Sequence, residues 1–272
     1  MTSRTHRTFA ALLATALLAG CGSDSPTSPA AHQPVDLAAI IAQSSSGGIN
    51  SIAGASTLAS IPTTLGAPAI VPSVCTYSST TTGFTCPPIN TAGVTFNITY
   101  YLADAAGHSQ SQVDVNTTAS VRTVTDASGT IAVPSTPGTG TTIALTNHSD
   151  MTLSGLLTTS RLLNGRTAGH FDVTTTPATG PAVHSIVNDT SVTANVAFPA
   201  AANTTSSWPT SGTITSDTHT TTTVPVLGSV NATVHSVITF NGTNHPTMTV
   251  SVGGVPVTCT LDLSGQTAPT CS

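Results

Sequence analysis

The feature that most constrains the fold is an alternation of apolar and polar residues in short runs from residue 73 to the end of the chain. In residues 141–157 the odd positions include Ile143, Leu145, Met151 and Leu153, whereas the even positions are mostly Thr, His, Asp and Ser. A period of two with one apolar side is typical of a strand that is buried on one face. The same alternation recurs in 94–102, 192–198 (apolar at Val192, Ala194, Val196 and Phe198), 232–240, 248–252 and 255–263.

Turn signals separate these runs. The pattern D-x-x-G occurs at 104–107, 126–129 and 262–265, and Asn-Gly occurs at 164–165 and 241–242. Asp bonds to the amides of a turn, Gly accepts left-handed backbone, and Asn-Gly is a strong two-residue hairpin signal. About one residue in five is Thr, and β-branched side chains favour extended backbone. The sequence therefore predicts an all-β fold, an antiparallel meander of hairpins over 61–272.

The apolar face of such a sheet must be covered, because a large apolar surface is not left in water. A second sheet would give a sandwich, and a strongly curved open sheet would enclose its own face. Both arrangements remain open at this point. Residues 35–60 differ from the rest: VDLAAIIAQ at 35–43 predicts a short helical or coil segment, and Gly47-Gly48 interrupts it. This segment is expected to pack on the sheet, or to act as a movable lid over an apolar cavity.

The first twenty residues have the organisation of a targeting segment. Arg4 and Arg7 precede an apolar run at 9–18, which is too short to span a bilayer. The run ends in Leu18-Ala19-Gly20-Cys21, which resembles the lipobox of bacterial lipoproteins. The resemblance implies that 1–20 is a signal peptide that is removed, and that Cys21 carries the lipid that anchors the protein. Residues 21–34, rich in Ser and Pro, are then a flexible tether.

The same resemblance implies a location. A lipidated Cys21 places the protein in the cell envelope, where the membrane is its partner through the lipid anchor. By the sorting rule known for bacterial lipoproteins, Gly22 after the cysteine is compatible with an outer membrane, facing the periplasm or the surface, if the organism has one.

The four remaining cysteines, an even number in an exported chain, predict disulfides. Three pairings are possible. Cys75 with Cys86 and Cys259 with Cys271 are favoured, because a short segment with a turn signal separates the members of each pair. Zinc binding by four thiolates is the alternative, but the chain has no C-x-x-C spacing.

Charge and motifs narrow the functions. The chain has no Lys and no Glu, and after Cys21 only Arg122, Arg161 and Arg166 stand against ten Asp, so nucleic acid is not an expected partner. None of the common hydrolase, metalloprotease or phosphate-loop motifs occurs, and the sequence predicts no enzyme, no catalytic residue and no cofactor. His148, His170 and His235 are predicted on the polar faces of their strands. A metal site would need three such residues to converge, and none is predicted.

These observations favour a structural or interaction role in the cell envelope, with another envelope protein or a lipid as the partner. The alternative is a carrier of a hydrophobic ligand, a lipid or an acyl chain, held in the cavity of a curved sheet. That alternative is similar in architecture to the half-barrel lipoproteins that carry lipids or lipoproteins across the periplasm, and no residue can be transferred from them. Trp208, the single tryptophan, is expected to close one end of the core.

Overall fold

A computed structural model describes residues 71–134, 139–199, 208–225, 228–263 and 269–271. Within these residues all regular secondary structure is β-strand, and the 14 strands form one antiparallel sheet. This confirms the all-β prediction. The predicted signal peptide 1–20, tether 21–34 and helical segment 35–60 lie outside the described residues.

The strands follow the chain in a meander. Their bounds are β1 (Thr76–Ser78), β2 (Gly83–Thr85), β3 (Ile89–Thr91), β4 (Val94–Ala103), β5 (Ser109–Gln110), β6 (Ser120–Pro134), β7 (Gly140–Ser154), β8 (Ser160–Thr176), β9 (Val183–Pro199), β10 (Ser211–Val224), β11 (Gly228–Thr239), β12 (Thr247–Val252), β13 (Val255–Thr260) and β14 (Thr270–Cys271). From β7 to β13 each strand pairs with the strands before and after it in sequence, β6 pairs with β4 and β7, and β3 and β5 pair only with β4.

The sheet is open, because its two ends, β1 and β14, do not pair with each other. Of the two arrangements left open by the sequence, the described strands form a single open sheet, and no second sheet packs on it within the described residues.

One face of the sheet, called here the core face, carries the main apolar cluster. A row of paired residues crosses it near one end of the long strands, and the members of this row are 0–1 % exposed. The row comprises the paired residues Leu102, Val121, Leu153, Leu163 and Val196, and beyond the shift of register between β9 and β10 it continues as the paired residues Ile214, Ile238, Met248 and Cys259. Burying a Leu or Ile side chain contributes about 1.5–3 kcal/mol, so this row anchors the sheet.

A belt of small hydroxyl side chains crosses the middle of the core face. Thr167 and Ser191 share a hydrogen bond of 2.8 Å between their hydroxyl oxygens, and Ser216 and Ser236 beside them are buried. Beyond the belt, Ile143 and Val173 form a second buried apolar pair. The polar side chains of this belt are therefore small, and they are satisfied by mutual hydrogen bonds or closely packed.

A β-bulge in β9 reverses the direction of side chains in mid-strand. Asn195 is the extra residue relative to both β8 and β10, and it has a φ of 52°. As a result Val196 is buried on the core face, whereas Val192 is 53 % exposed on the other face. The prediction that the apolar residues of 192–198 share one face is wrong, because period two does not continue through a bulge.

Two predicted turns are also wrong, and both lie inside long strands. The Asp126–Gly129 pattern belongs to β6, where Gly129 lies so close to β4 that an added Cβ would collide with the carbonyl oxygen of Gly93. Asn164-Gly165 lies within β8, opposite the bulge of β9. In each case a glycine permits close approach of neighbouring backbones rather than a turn.

The other turn signals divide as follows. Asp104 caps the turn between β4 and β5, where Gly107 has a φ of 86° and donates its N–H to the Asp104 carbonyl oxygen at 3.1 Å, as predicted. Asn241-Gly242 lies in the longer loop between β11 and β12, and is not a two-residue hairpin. The third D-x-x-G pattern, 262–265, extends beyond the described residues.

Candidate functional site

The cysteines lie at the two lateral ends of the sheet. Cys75 and Cys86 are disulfide-bonded next to the β1–β2 hairpin, and Cys259 of β13 is disulfide-bonded to Cys271 of β14. These are the pairings that the sequence favours. Because all four sulfur atoms are in disulfide bonds, none of them is a thiolate that could bind zinc. Cys21, the predicted lipidation residue, lies outside the described residues.

The most distinctive surface is the face opposite the core face on β6–β11, called here the histidine face. Five histidines project from it, one on each of β7 to β11: His148, His170, His184, His219 and His235. The prediction that His148, His170 and His235 lie on polar strand faces is confirmed. His184 and His219 share that face, although the sequence analysis did not single them out.

Each of these rings has its own oxygen partner on a neighbouring strand. Nδ1 of His148 lies 2.7 Å from Asp126 Oδ1, and Nδ1 of His235 lies 2.7 Å from Asp217 Oδ1. The other three contacts are His170 Nδ1 to Asn188 Oδ1 at 2.8 Å, His184 Nε2 to Asp172 Oδ1 at 2.7 Å, and His219 Nδ1 to Thr233 Oγ1 at 3.0 Å. Cross-strand pairs of this kind fix the rings at regular positions across the sheet.

The rings remain open to solvent despite these bonds. The side chains of His148, His184 and His235 are 50 %, 42 % and 48 % exposed. In four of the five rings the bonded atom is Nδ1.

A shallow open depression of about 520 Å³ crosses four strands of the histidine face. It is lined by the same three-residue stretch of each strand: 126–128, 146–148, 168–170 and 188–190. In each stretch the side chains of the first and third residues point to the histidine face. The backbone of the middle residue forms the bottom of the depression. His148 and His170 stand on opposite sides of it.

A second polar group extends the histidine face towards β4. Arg122 donates two hydrogen bonds to Asp150, from Nε and Nη2, each 2.7 Å long, and its guanidinium carbon lies 5.2 Å from the centre of the Tyr101 ring. These hydrogen bonds from Arg122 hold the pKa of Asp150 below its usual value. Arg166 is the only other arginine on this face.

The arrangement pairs these side chains separately and does not gather them into one centre. Among the described residues, no three His, Cys or Asp side chains lie close enough to hold one metal ion. In 71–134, 139–199, 208–225, 228–263 and 269–271, no helix is long and apolar enough to cross a membrane.

Two notable polar residues were missed by sequence reasoning. Asp189 lies half-buried on the core face, where it accepts a hydrogen bond of 2.7 Å from Thr218 Oγ1, and burial raises its pKa. Arg161 at the start of β8 is 1 % exposed, and burial lowers its pKa. Parity would have placed Asp189 on the core face if the bulge in β9 had been known. Trp208 is half-buried.

No protein-family model, no curated protein and no solved structure matches this chain.

Proposed function

We propose that the protein is a lipid-anchored protein of the cell envelope, with a structural or interaction role rather than a catalytic one. The observation that carries the proposal is the order of features at the amino end: Arg4 and Arg7, the apolar run 9–18, and Leu18-Ala19-Gly20-Cys21. Two acyl chains or more hold a protein on a membrane lastingly, where one does not.

The β domain that follows has features expected of a protein that is exported from the cytoplasm. Disulfides persist in oxidising compartments, and this chain has two of them. The histidine face presents separately paired side chains over a wide area, which suits contact with an extended partner better than the conversion of a small substrate. Catalysis by acid–base groups needs a base within reach of the reacting atoms, and these rings are spread over five strands.

Metabolic labelling with an alkyne fatty acid tests the anchor in a bacterial host that exports the full chain. We expect the wild-type protein to take up the label and to sediment with membranes. The variant Cys21→Ser should lose the label and leave the membrane fraction. Cys271→Ser is the matched control, because it removes another cysteine and should keep both properties. Persistence of label and membrane association in Cys21→Ser would overturn the proposal.

A further inference from the structure

The histidine face has an unusual balance of charge. Apart from its five histidines, the charged residues on β6–β11 that point to this face are four aspartates and two arginines: Asp126, Asp150, Asp172 and Asp217, with Arg122 and Arg166. With neutral histidines the formal charge of the face is −2, and with all five protonated it is +3. The strands that flank this region of the sheet, β4 and β12, contain no charged residue that would change this balance.

The reversal falls in an accessible range of pH. Histidine is the side-chain type that gains positive charge between about pH 8 and pH 5, whereas carboxylates as a class lose their charge in a more acidic range, so acidification to about pH 5 adds positive charge to a histidine-rich surface. The hydrogen bonds from Arg122 keep Asp150 ionised well into this range. Asp189, whose pKa is raised, points to the core face and does not contribute.

We propose that the histidine face is a pH-dependent contact surface for an anionic phospholipid membrane, which it binds in mildly acidic conditions and releases at neutral pH. The charge complementarity between a positive sheet face and acidic headgroups carries the proposal.

The spacing of the charges favours a membrane over a small anion. Adjacent strands lie about 4.8 Å apart, so the five histidines on β7 to β11 extend over about 19 Å. A small anion needs donors that converge on one point, whereas each of these rings has its own partner on the sheet. An extended layer of negative charge meets all five at once. Exposed Val192, on the same face, adds an apolar contact to the polar surface.

The inference rests on the proposed function only in one respect: a lipid anchor would keep the face near a membrane. The test removes this dependence by using the full chain with Cys21→Ser in every sample. Vesicles of phosphatidylcholine with phosphatidylglycerol, and vesicles of phosphatidylcholine alone, are sedimented with the protein at about pH 5 and about pH 7.5, the two sides of the histidine range.

We expect binding to the anionic vesicles to be at least about tenfold stronger at the lower pH, and to weaken as salt is added, because exposed charges are screened. Replacing the five face histidines by Gln should remove the pH dependence, and His148→Gln with His235→Gln should remove part of it. The leader and its arginines are identical in all of these proteins, so a change between them comes from the face. Far-ultraviolet circular dichroism verifies the fold.

The matched control uses histidines away from the face. His108 lies in the turn after β4, bonded to Asp104, and His245 lies in the loop before β12. His108→Gln with His245→Gln should keep the full pH dependence. Equal binding at the two pH values, or a pH dependence that survives the five-histidine replacement, would overturn the proposal and leave the assignment of Cys21 unaffected.

Discussion

At the scale of single residues, two carboxylates on the central strands β7 and β9 experience opposite environments. Asp150 on the histidine face receives two hydrogen bonds from Arg122, which lower its pKa. Asp189 on the core face is shielded from water with one hydrogen bond from Thr218, and burial raises its pKa. The face on which a strand directs a side chain therefore decides the sign of the shift.

Asp189→Asn should stabilise the protein at neutral pH. Because the pKa of Asp189 is raised in the fold, its contribution to stability is complete below the unfolded value of about 3.9 and is lost as pH rises through the folded value. The amide keeps an acceptor for Thr218 and carries no charge. We expect the free energy of unfolding by urea to rise by about 1 kcal/mol at pH 7 and to be unchanged near pH 3.

Asp150→Asn is the control, and it should change the free energy of unfolding at neutral pH in the opposite direction. Its lowered pKa means that the ionised carboxylate stabilises the fold above about pH 3.9 and that this gain is lost as pH falls through the folded value. Since Arg122 is 48 % exposed, we expect a loss below about 1 kcal/mol at pH 7. If both variants shifted the unfolding transition in the same direction at neutral pH, the contrast between the two faces would be wrong.

At the scale of elements, β9 shows how one residue changes a strand. The backbone N–H of Asn195 donates to Asn164 Oδ1 at 2.7 Å, and this bond holds the bulge against β8. On one side of Asn195 the core face receives Thr193, and on the other it receives Val196. Because of the bulge, β9 directs odd-numbered residues to the core face before Asn195 and even-numbered residues after it.

Asn195→Val should destabilise the bulge and Asn195→Gly should not. The side chain of Asn195 is exposed, so the replacement tests the backbone rather than packing. A β-branched residue at a φ of 52° costs about 2 kcal/mol, whereas glycine adopts this region freely. Urea unfolding measures both variants. Equal stability of the Val and Gly variants would show that the left-handed conformation is not required.

The strands that were predictable from the sequence are those with uninterrupted parity. Residues 94–102 and 232–240 alternate cleanly, and the structure places their apolar side chains on the core face. The failures at Asp126–Gly129 and Asn164-Gly165 have one cause: a local turn signal was overruled by pairing with strands distant in sequence. Glycine at a close backbone approach and glycine in a turn look the same in a single sequence.

The candidate site was predictable only in part, for a related reason. Parity places His148, His170 and His235 on polar faces, yet the partners Asp126, Asn188 and Asp217 depend on register. Register is set by pairing along whole strands, and a shift of one residue would exchange the faces. His219 stands in a run of Thr in β10, and near His184 in β9 the apolar residues Ile186 and Val187 are adjacent rather than alternating, so parity gave no signal for either histidine.

At the scale of the whole molecule, the meander makes stability a property of neighbouring pairs. Each long strand from β7 onward bonds only to the strands that flank it in sequence, as repeats do in a linear array. The central strands β7, β8 and β9 are paired along most of their length on both sides, whereas β14 pairs at two positions, Cys271 with Cys259 and Thr270 with Thr260. The two disulfides secure the two ends of this array.

Hydrogen exchange should therefore be slowest in β7–β9 and fastest at the lateral ends of the sheet. We expect Cys271→Ser to accelerate exchange in β12 and β13 while β7 and β8 stay protected, because a disulfide closing a loop of about 12 residues contributes about 3 kcal/mol locally. Cys259, left as a thiol, remains an acceptable small apolar side chain in the core.

Cys86→Ser is the matched variant at the other end, and it should accelerate exchange in β1 and β2 instead, with β12 and β13 unchanged. Mass spectrometry of peptic fragments resolves the two ends. An acceleration spread evenly over all strands in either variant would mean that the sheet opens as one cooperative unit, since a nearest-neighbour array transmits the loss of a terminal constraint only a strand or two inward.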